Sequence, residues 1–244
     1  MLAAIIALAT TPADFQPIFD GKTLAGWTPK IAGYPLGENF GNTFQVKNGV
    51  IMVNYDAYTD GFNERYGHLF YERELRYFIL RVDYRFIGEQ CKGGAGWAYK
   101  NSGIMYLGQP ASTMALDQSF PVSAEFQFLG ADGDQKRGTG NVCSPGTHIL
   151  KDGNLIKQHV IEVNGPSIPG DAWVTAELEV NPEFIIHRIN GKEVYRYTHA
   201  EYDENDATTK PVLPKYRRQV VGGTISLQSE SHPVEFKNVL LKRL

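Results

Sequence analysis

The feature that most constrains this chain is a two-residue alternation of apolar and polar side chains that returns in segment after segment. In TISLQ, Ile225 and Leu227 point one way while Thr224, Ser226 and Gln228 point the other. VSAEFQFLG repeats the plan, with Ala124, Phe126 and Phe128 alternating against Ser123, Glu125 and Gln127. WVTAELEV sets Val174, Ala176, Leu178 and Val180 against Thr175, Glu177 and Glu179. A period of two is that of a half-buried strand, whose apolar side must lie on a second layer. Further strands are expected over 15–19, 50–54, 68–71, 77–86, 103–106, 184–189, 192–197 and 234–241. Asn190-Gly191, between FIIHRI and KEVYRY, predicts a two-residue type I′ hairpin, because both central positions need positive φ. The apolar phase of the last strand changes between Phe236 and Val239, which predicts a bulge near Lys237 and Asn238. The one helical candidate is short, around 200–208. The fold expected is all-β: two stacked antiparallel sheets of jelly-roll type, with a ligand on the concave sheet.

Composition narrows the function classes. The 25 Gly and 13 Pro suit many turns, and no linker or charge run divides the 244 residues, so one β-sandwich domain is expected over 15–244. A net charge of −3 carries no polyanion-binding signature, so nucleic acid is not an expected partner. Residues 1–14 form an apolar N-terminus, and MLAAIIALA reads either as the tail of a truncated signal peptide or simply as an apolar start. The signal reading implies a periplasmic or secreted protein, and no other stretch approaches a membrane span. Cys91 and Cys143 either pair in an oxidising compartment or remain free, and no Cys/His cluster has zinc spacing.

The polar strand faces supply the candidate chemistry. Glu125, flanked by phenylalanines, is the first candidate for proton transfer, because partial burial would raise its pKa into a useful range. The competing reading is an outward glutamate in a salt bridge. Gln127, Asn101 and Gln228 offer amides suited to sugar hydroxyls. Glu230 and His232 sit in the SESH turn, which either projects both groups past the sheet rim or merely caps a bend before Pro233. Lys100 either polarises a substrate oxygen or snorkels from a strand end. His68 is a base, a metal ligand or a core histidine. Of Trp27, Trp97 and Trp173, Trp97 beside the NSG run is the candidate stacking platform. The polar stretch 130–154 is expected to be a long loop able to carry His148 over the concave face, while Asp132 and Asp134 lack the remaining ligands of a calcium loop.

FDGKTLAGW (Phe19 onward), NSGIMY (Asn101 onward), EFQFLG (Glu125 onward) and LQSESHPVEFKNV (Leu227 onward) occur in this order. Together they resemble the 3-keto-disaccharide hydrolase family, over about residues 15–244. The resemblance implies the concanavalin A-like lectin and glucanase architecture. It also implies a glycoside substrate oxidised at C3 by a separate, upstream sugar dehydrogenase. The ketone acidifies the C2 hydrogen, so a base can remove it and the enolate can expel the C1 substituent; water returning at C1 completes hydrolysis, and stopping earlier makes a lyase. On this reading Glu125 is the base, Lys100 or His232 assists the enolate or leaving group, and Asn101, Gln127 and Gln228 bind hydroxyls. A divalent cation could replace the lysine. The family often carries an aspartate and a histidine where this chain has Ser229 and Glu230, which leaves the acid open. A lectin-like binding module is the main alternative. An endoglucanase would need an E-x-D-x-x-E run, and EFQFLG offers one carboxylate only.

Overall fold

The computed structural model describes residues 14–214 and 218–244, so the signal-peptide reading of the apolar start falls on residues outside those described. In chain order the strands are β1 (Gln16–Pro17), β2 (Trp27–Ile31), β3 (Phe44–Lys47), β4 (Val50–Val53), β5 (Gly67–Tyr71), β6 (Phe78–Phe86), β7 (Asn101–Gly108), β8 (Ala124–Leu129) and β9 (Val142–Cys143). There follow β10 (Thr147–Lys151), β11 (Asn154–Ile156), β12 (Val160–Ile161), β13 (Val174–Val180), β14 (Ile185–Ile189), β15 (Lys192–Tyr197), β16 (His199–Tyr202), β17 (Thr224–Ser229) and β18 (Val234–Arg243). The first sheet runs β15-β14-β13-β6-β18-β4-β3, with β1 added on β18. The second runs β12-β9-β8-β7-β17-β5-β2, and β11-β10-β16 form a small third sheet. Every strand pair is antiparallel. Among the described residues no helix is long and apolar enough to cross a membrane.

The apolar positions of the alternation meet between the two large sheets. Ile104, Phe126, Phe128, Ile225 and Leu227 of the second sheet join Val82, Tyr84, Phe86, Leu178 and Phe236 of the first in one buried cluster. Tyr84 and Phe128 stack across the seam with ring centroids 4.0 Å apart. Each such side chain contributes roughly 1.5–3 kcal/mol by leaving water. A polar chain also crosses the core: Tyr197 and Tyr106 hydroxyls lie 2.7 Å apart, and Tyr106 Oη lies 2.9 Å from His187 Nε2. His187 Nδ1 donates to the Gly140 carbonyl at 3.1 Å, which leaves Nε2 to accept from Tyr106.

The hairpin has the expected form, with Asn190 at φ 49° and Gly191 at φ 78°. The bulge appears as a register shift between Lys237 and Leu240, with Asn238 at φ 49° and its amide donating to Asp83 at 2.6 Å. Two expectations are corrected. The 200–208 segment is not helical: β16 pairs with β10, and the chain then turns about Asp206, whose carboxylate accepts backbone N–H groups of Thr208 and Thr209. The stretch 130–154 is not one loop, because β9 and β10 lie inside it and pair into two different sheets. Neither cysteine is paired.

Candidate active site

The polar positions of the second sheet gather on its outer face. Cross-strand pairing sets Glu125 beside Met105 and Cys143, Gln127 beside Gly103, and Gln228 beside His68. Directly paired residues share a face. This face therefore carries a carboxylate, a thiol, two amides and an imidazole in adjacent positions. Gly103 is required there: a Cβ on it would lie 2.7 Å from Glu125 Oε1 and 2.9 Å from its Cγ, so the glutamate side chain lies folded over the glycine. Above this floor opens a cleft of about 660 Å³ whose lining includes Trp97, Asn101, Glu125, Gln127, Cys143 and Glu230. That volume lies in the range of small-molecule sites.

The sheet under and beside the cleft carries several buried polar atoms that find no partner among the described residues. Glu125 Oε1, Asn101 Oδ1, Glu230 Oε2, Ser226 Oγ, both ends of the Gln228 amide and both His68 nitrogens belong to this set. Each such group costs about 1–3 kcal/mol relative to a satisfied one, and native proteins keep them at functional places. Glu125 is 5% exposed and Glu230 3%. Burial pushes the Glu125 carboxyl up to about 8, with the neighbouring Cys143 thiol and Gln228 amide pulling it partway back. Glu230 is pushed up too, first by burial and then by the charge of Glu125. His68 is driven down to about 3, by burial and then by Lys30, so it is a neutral imidazole.

Glu230 is carried on a turn held by a distant tyrosine. The Tyr55 hydroxyl donates to Ser229 Oγ at 3.1 Å and accepts the Ser231 N–H at 2.9 Å. Ser231 has φ 84°, a conformation that costs a non-glycine residue energy and that clusters at functional turns. Gln90 also donates to Ser231 Oγ at 2.9 Å.

The remaining sequence candidates divide. Asn101 and Gln127 line the cleft, and Asn101 anchors itself by donating to the Trp97 carbonyl at 3.3 Å. Trp97 stands at the cleft 54% exposed, stacked on Tyr66 at 5.8 Å. Trp27 fills core, and Trp173 lies under Arg85 and Lys237 on the other sheet. Lys100 and His232 do not line the Glu125 cleft but a neighbouring depression of about 280 Å³, where Lys100 pairs with Asp132 at 2.9 Å. The reason is the pleat and the turn: Lys100, at φ 42°, precedes the strand that presents Asn101, and His232 is packed between Phe86 and Tyr99. His148 lies on β10 of the third sheet, 3.5 Å from Asp203, rather than over the cleft.

Several cleft residues carry no sequence motif. Arg137 is half-buried, and its guanidinium donates to the carbonyls of Tyr99, Lys100 and Gly130. Asn141 donates to Gln127 Oε1 at 2.9 Å and accepts the Val163 N–H at 3.0 Å, which fixes the Gln127 amide. The register of β9 against β8 brings in Cys143, and only the pairing reveals it. Among the described residues no three His, Cys, Asp or Glu side chains are gathered that could hold a metal ion.

Comparison with known proteins agrees with this fold. The sandwich superposes on a presumed glycosyl hydrolase from Parabacteroides distasonis with a TM-score of 0.55 at 20% identity, covering 95% of this chain and 94% of that one. A galectin-like protein of unknown function from Bacillus subtilis gives 0.51 at 12%, covering 89% of each chain. The β-glucanase of Bacillus licheniformis gives 0.50 at 13%, covering 94% of this chain and 97% of that one. At these identities the likeness is one of fold, a concanavalin A-like jelly-roll sandwich. No curated protein matches the sequence. The model of the 3-keto-alpha-glucoside-1,2-lyase-like domain matches residues 14–242, nearly the whole chain, and the protein belongs to that family.

Proposed function

We propose that this carbohydrate-active protein cleaves 3-keto-glycosides by removing the C2 proton, with Glu125 as the base. The observation that carries the reading is Glu125 itself: a buried carboxylate with an unpartnered oxygen, at the floor of a sugar-sized cleft lined by amides. A site that only binds sugar gains nothing from a buried carboxylate with a raised pKa, whereas proton abstraction needs a base matched to the acidity of its target. Asn101 and Gln127 meet hydroxyls, Trp97 offers a ring face, and Arg137 and Lys136 are the cations within reach of an enolate oxygen. Elimination expels the C1 substituent, and water added back at C1 gives net hydrolysis. The ketone must come from a sugar dehydrogenase acting earlier. Lys100 and His232 have no part in this step, since they face the neighbouring depression.

One observation favours a second reading. Glu230 gives the cleft a second buried carboxylate, and an ordinary glycosidase requires a pair. Product analysis by NMR in deuterated water, on 3-keto disaccharides beside their unoxidised parents, separates the readings. Cleavage confined to the 3-keto compounds with deuterium entering C2 supports the proposal. Cleavage of the parents selects the glycosidase, and binding without turnover selects a lectin-like module.

A further inference from the structure

Proton abstraction by Glu125 leaves a second requirement unmet, because a sugar alkoxide is a poor leaving group and needs a proton as the C1–O bond breaks. Besides Glu125 the cleft is lined by Cys143, His159, Glu162 and Glu230, and of the two further carboxyls Glu162 is exposed while Glu230 is buried. Glu230 lies in the same lining as Glu125, comes from the opposite side of the sheet's central strands on its own turn, and keeps Oε2 buried without a protein partner. Its carboxyl makes no ion pair with any of the described residues. The turn is positioned by Tyr55 and strained at Ser231, an investment in placing a side chain that a solvent-facing bend would not need.

We propose that Glu230 is the proton donor to the leaving oxygen and works with Glu125 as a carboxylate pair that shares one proton. The proposal rests on the 3-keto-glycoside reading above. Two buried carboxyls that line one cleft and feel each other's charge resist ionising together at neutral pH. The groups facing Glu230 do not offset this: Tyr55, Tyr66 and Cys143 feel or add negative charge there, and the cations of the cleft are Lys136 and Arg137. The pair titrates as a unit. The step balances. Ionised Glu125 takes the C2 proton, the C2–H electron pair enters the enolate and then the C1–C2 double bond, and the C1–O pair leaves with oxygen, which receives the Glu230 proton. The products are an enone and an alcohol. The pair begins and ends with one proton, now on Glu125, and transfer back to Glu230 resets it without a base from solvent.

The test compares Glu230→Gln with the wild type on two 3-keto-glucosides, one with a sugar aglycone and one with a p-nitrophenyl aglycone, while following C2–H exchange into deuterated water. A nitrophenolate leaves without a proton. Glu230→Gln is expected to retain C2 exchange and nitrophenyl release within about threefold while losing about 10²–10⁴-fold on the sugar aglycone, the range of one general acid. Retained exchange shows in the same sample that the variant is folded. Glu230→Asp, which keeps the acid on a shorter arm, should recover part of the lost rate. Equal loss on both aglycones together with lost exchange, or no loss on either, overturns the donor role. A wild type that cleaves no 3-keto compound fails at the earlier step and overturns the functional reading and the donor with it.

Discussion

Replacing Glu125 by glutamine should stabilise the protein, and more so the higher the pH. The ordinary carboxyl value is 4.5, and burial raises that of Glu125 to about 8. Below 4.5 the folded and unfolded chains both hold the proton. Between 4.5 and about 8 the folded pair of Glu125 and Glu230 keeps at least one proton that the unfolded chain has released, so the folded state binds more protons and its stability falls as pH rises through this window. At about 1.4 kcal/mol per pH unit the wild type loses about 5 kcal/mol at most by pH 8.5. That is a large part of the roughly 5–15 kcal/mol total of a typical domain. The glutamine has the shape of the protonated acid and escapes the loss, and it also removes the charge that burdens Glu230. Equilibrium urea unfolding at pH 4.5 and 8.5 measures the difference. The variant should match the wild type within about 1 kcal/mol at the acid end and exceed it by several at the alkaline end. A stability difference that is the same at both pH values would refute the argument that this carboxyl is buried at a cost.

Other substitutions test other parts of the site. Gly103→Ala places a Cβ 2.7 Å from Glu125 Oε1, so it should cost about 1–3 kcal/mol in thermal or urea unfolding and lower kcat far more than such a loss of stability would. Trp97→Ala removes an exposed ring face and should raise KM about 3–10-fold, corresponding to about 0.5–1.5 kcal/mol, with Tm nearly unchanged. Lys100→Met should leave cleavage of 3-keto substrates within about twofold in steady-state kinetics, since the lysine faces Asp132 in the neighbouring depression; a loss approaching the 10²-fold of a catalytic group would return it to the mechanism. Tyr106→Phe leaves His187 and Tyr197 without their shared partner in the core and should cost about 1–3 kcal/mol in urea unfolding without changing KM.

The fold was legible wherever a strand is buried on one face, because there the two-residue period is imposed by the core. Thus β8, β13 and β17 lie where the alternation of Phe126, Leu178 and Leu227 places them. Of the strands that escaped notice, some are edges of the large sheets and others are short or lie in the stretch expected to be a loop. β2 contains Pro29 and closes one end of the second sheet, where a missing N–H can face outward, and β3 closes an end of the first. β9 and β12 are too short for a period to show. In the site, Glu125, Asn101 and Gln127 could be read because they stand on regular strands. Lys100, His232 and His148 could not, because proximity along the chain says nothing about which side of a turn or which sheet a side chain reaches. Arg137 and Cys143 enter through pairing between distant segments, which leaves no local pattern.

The tyrosine that holds the Glu230 turn joins residues 174 and 176 positions apart. Glu125, by contrast, sits on a strand paired with its immediate predecessor, β7. The two carboxylates therefore belong to different stages of chain assembly. The hairpin bearing Glu125 can form from neighbouring sequence, whereas the turn bearing Glu230 reaches its place only when the last strands have closed against a residue near the start. Contacts of such long sequence separation are slow to form. A refolding protein should thus regain strand content before it regains turnover, and catalytic competence becomes the late signal that the two ends of the chain have met.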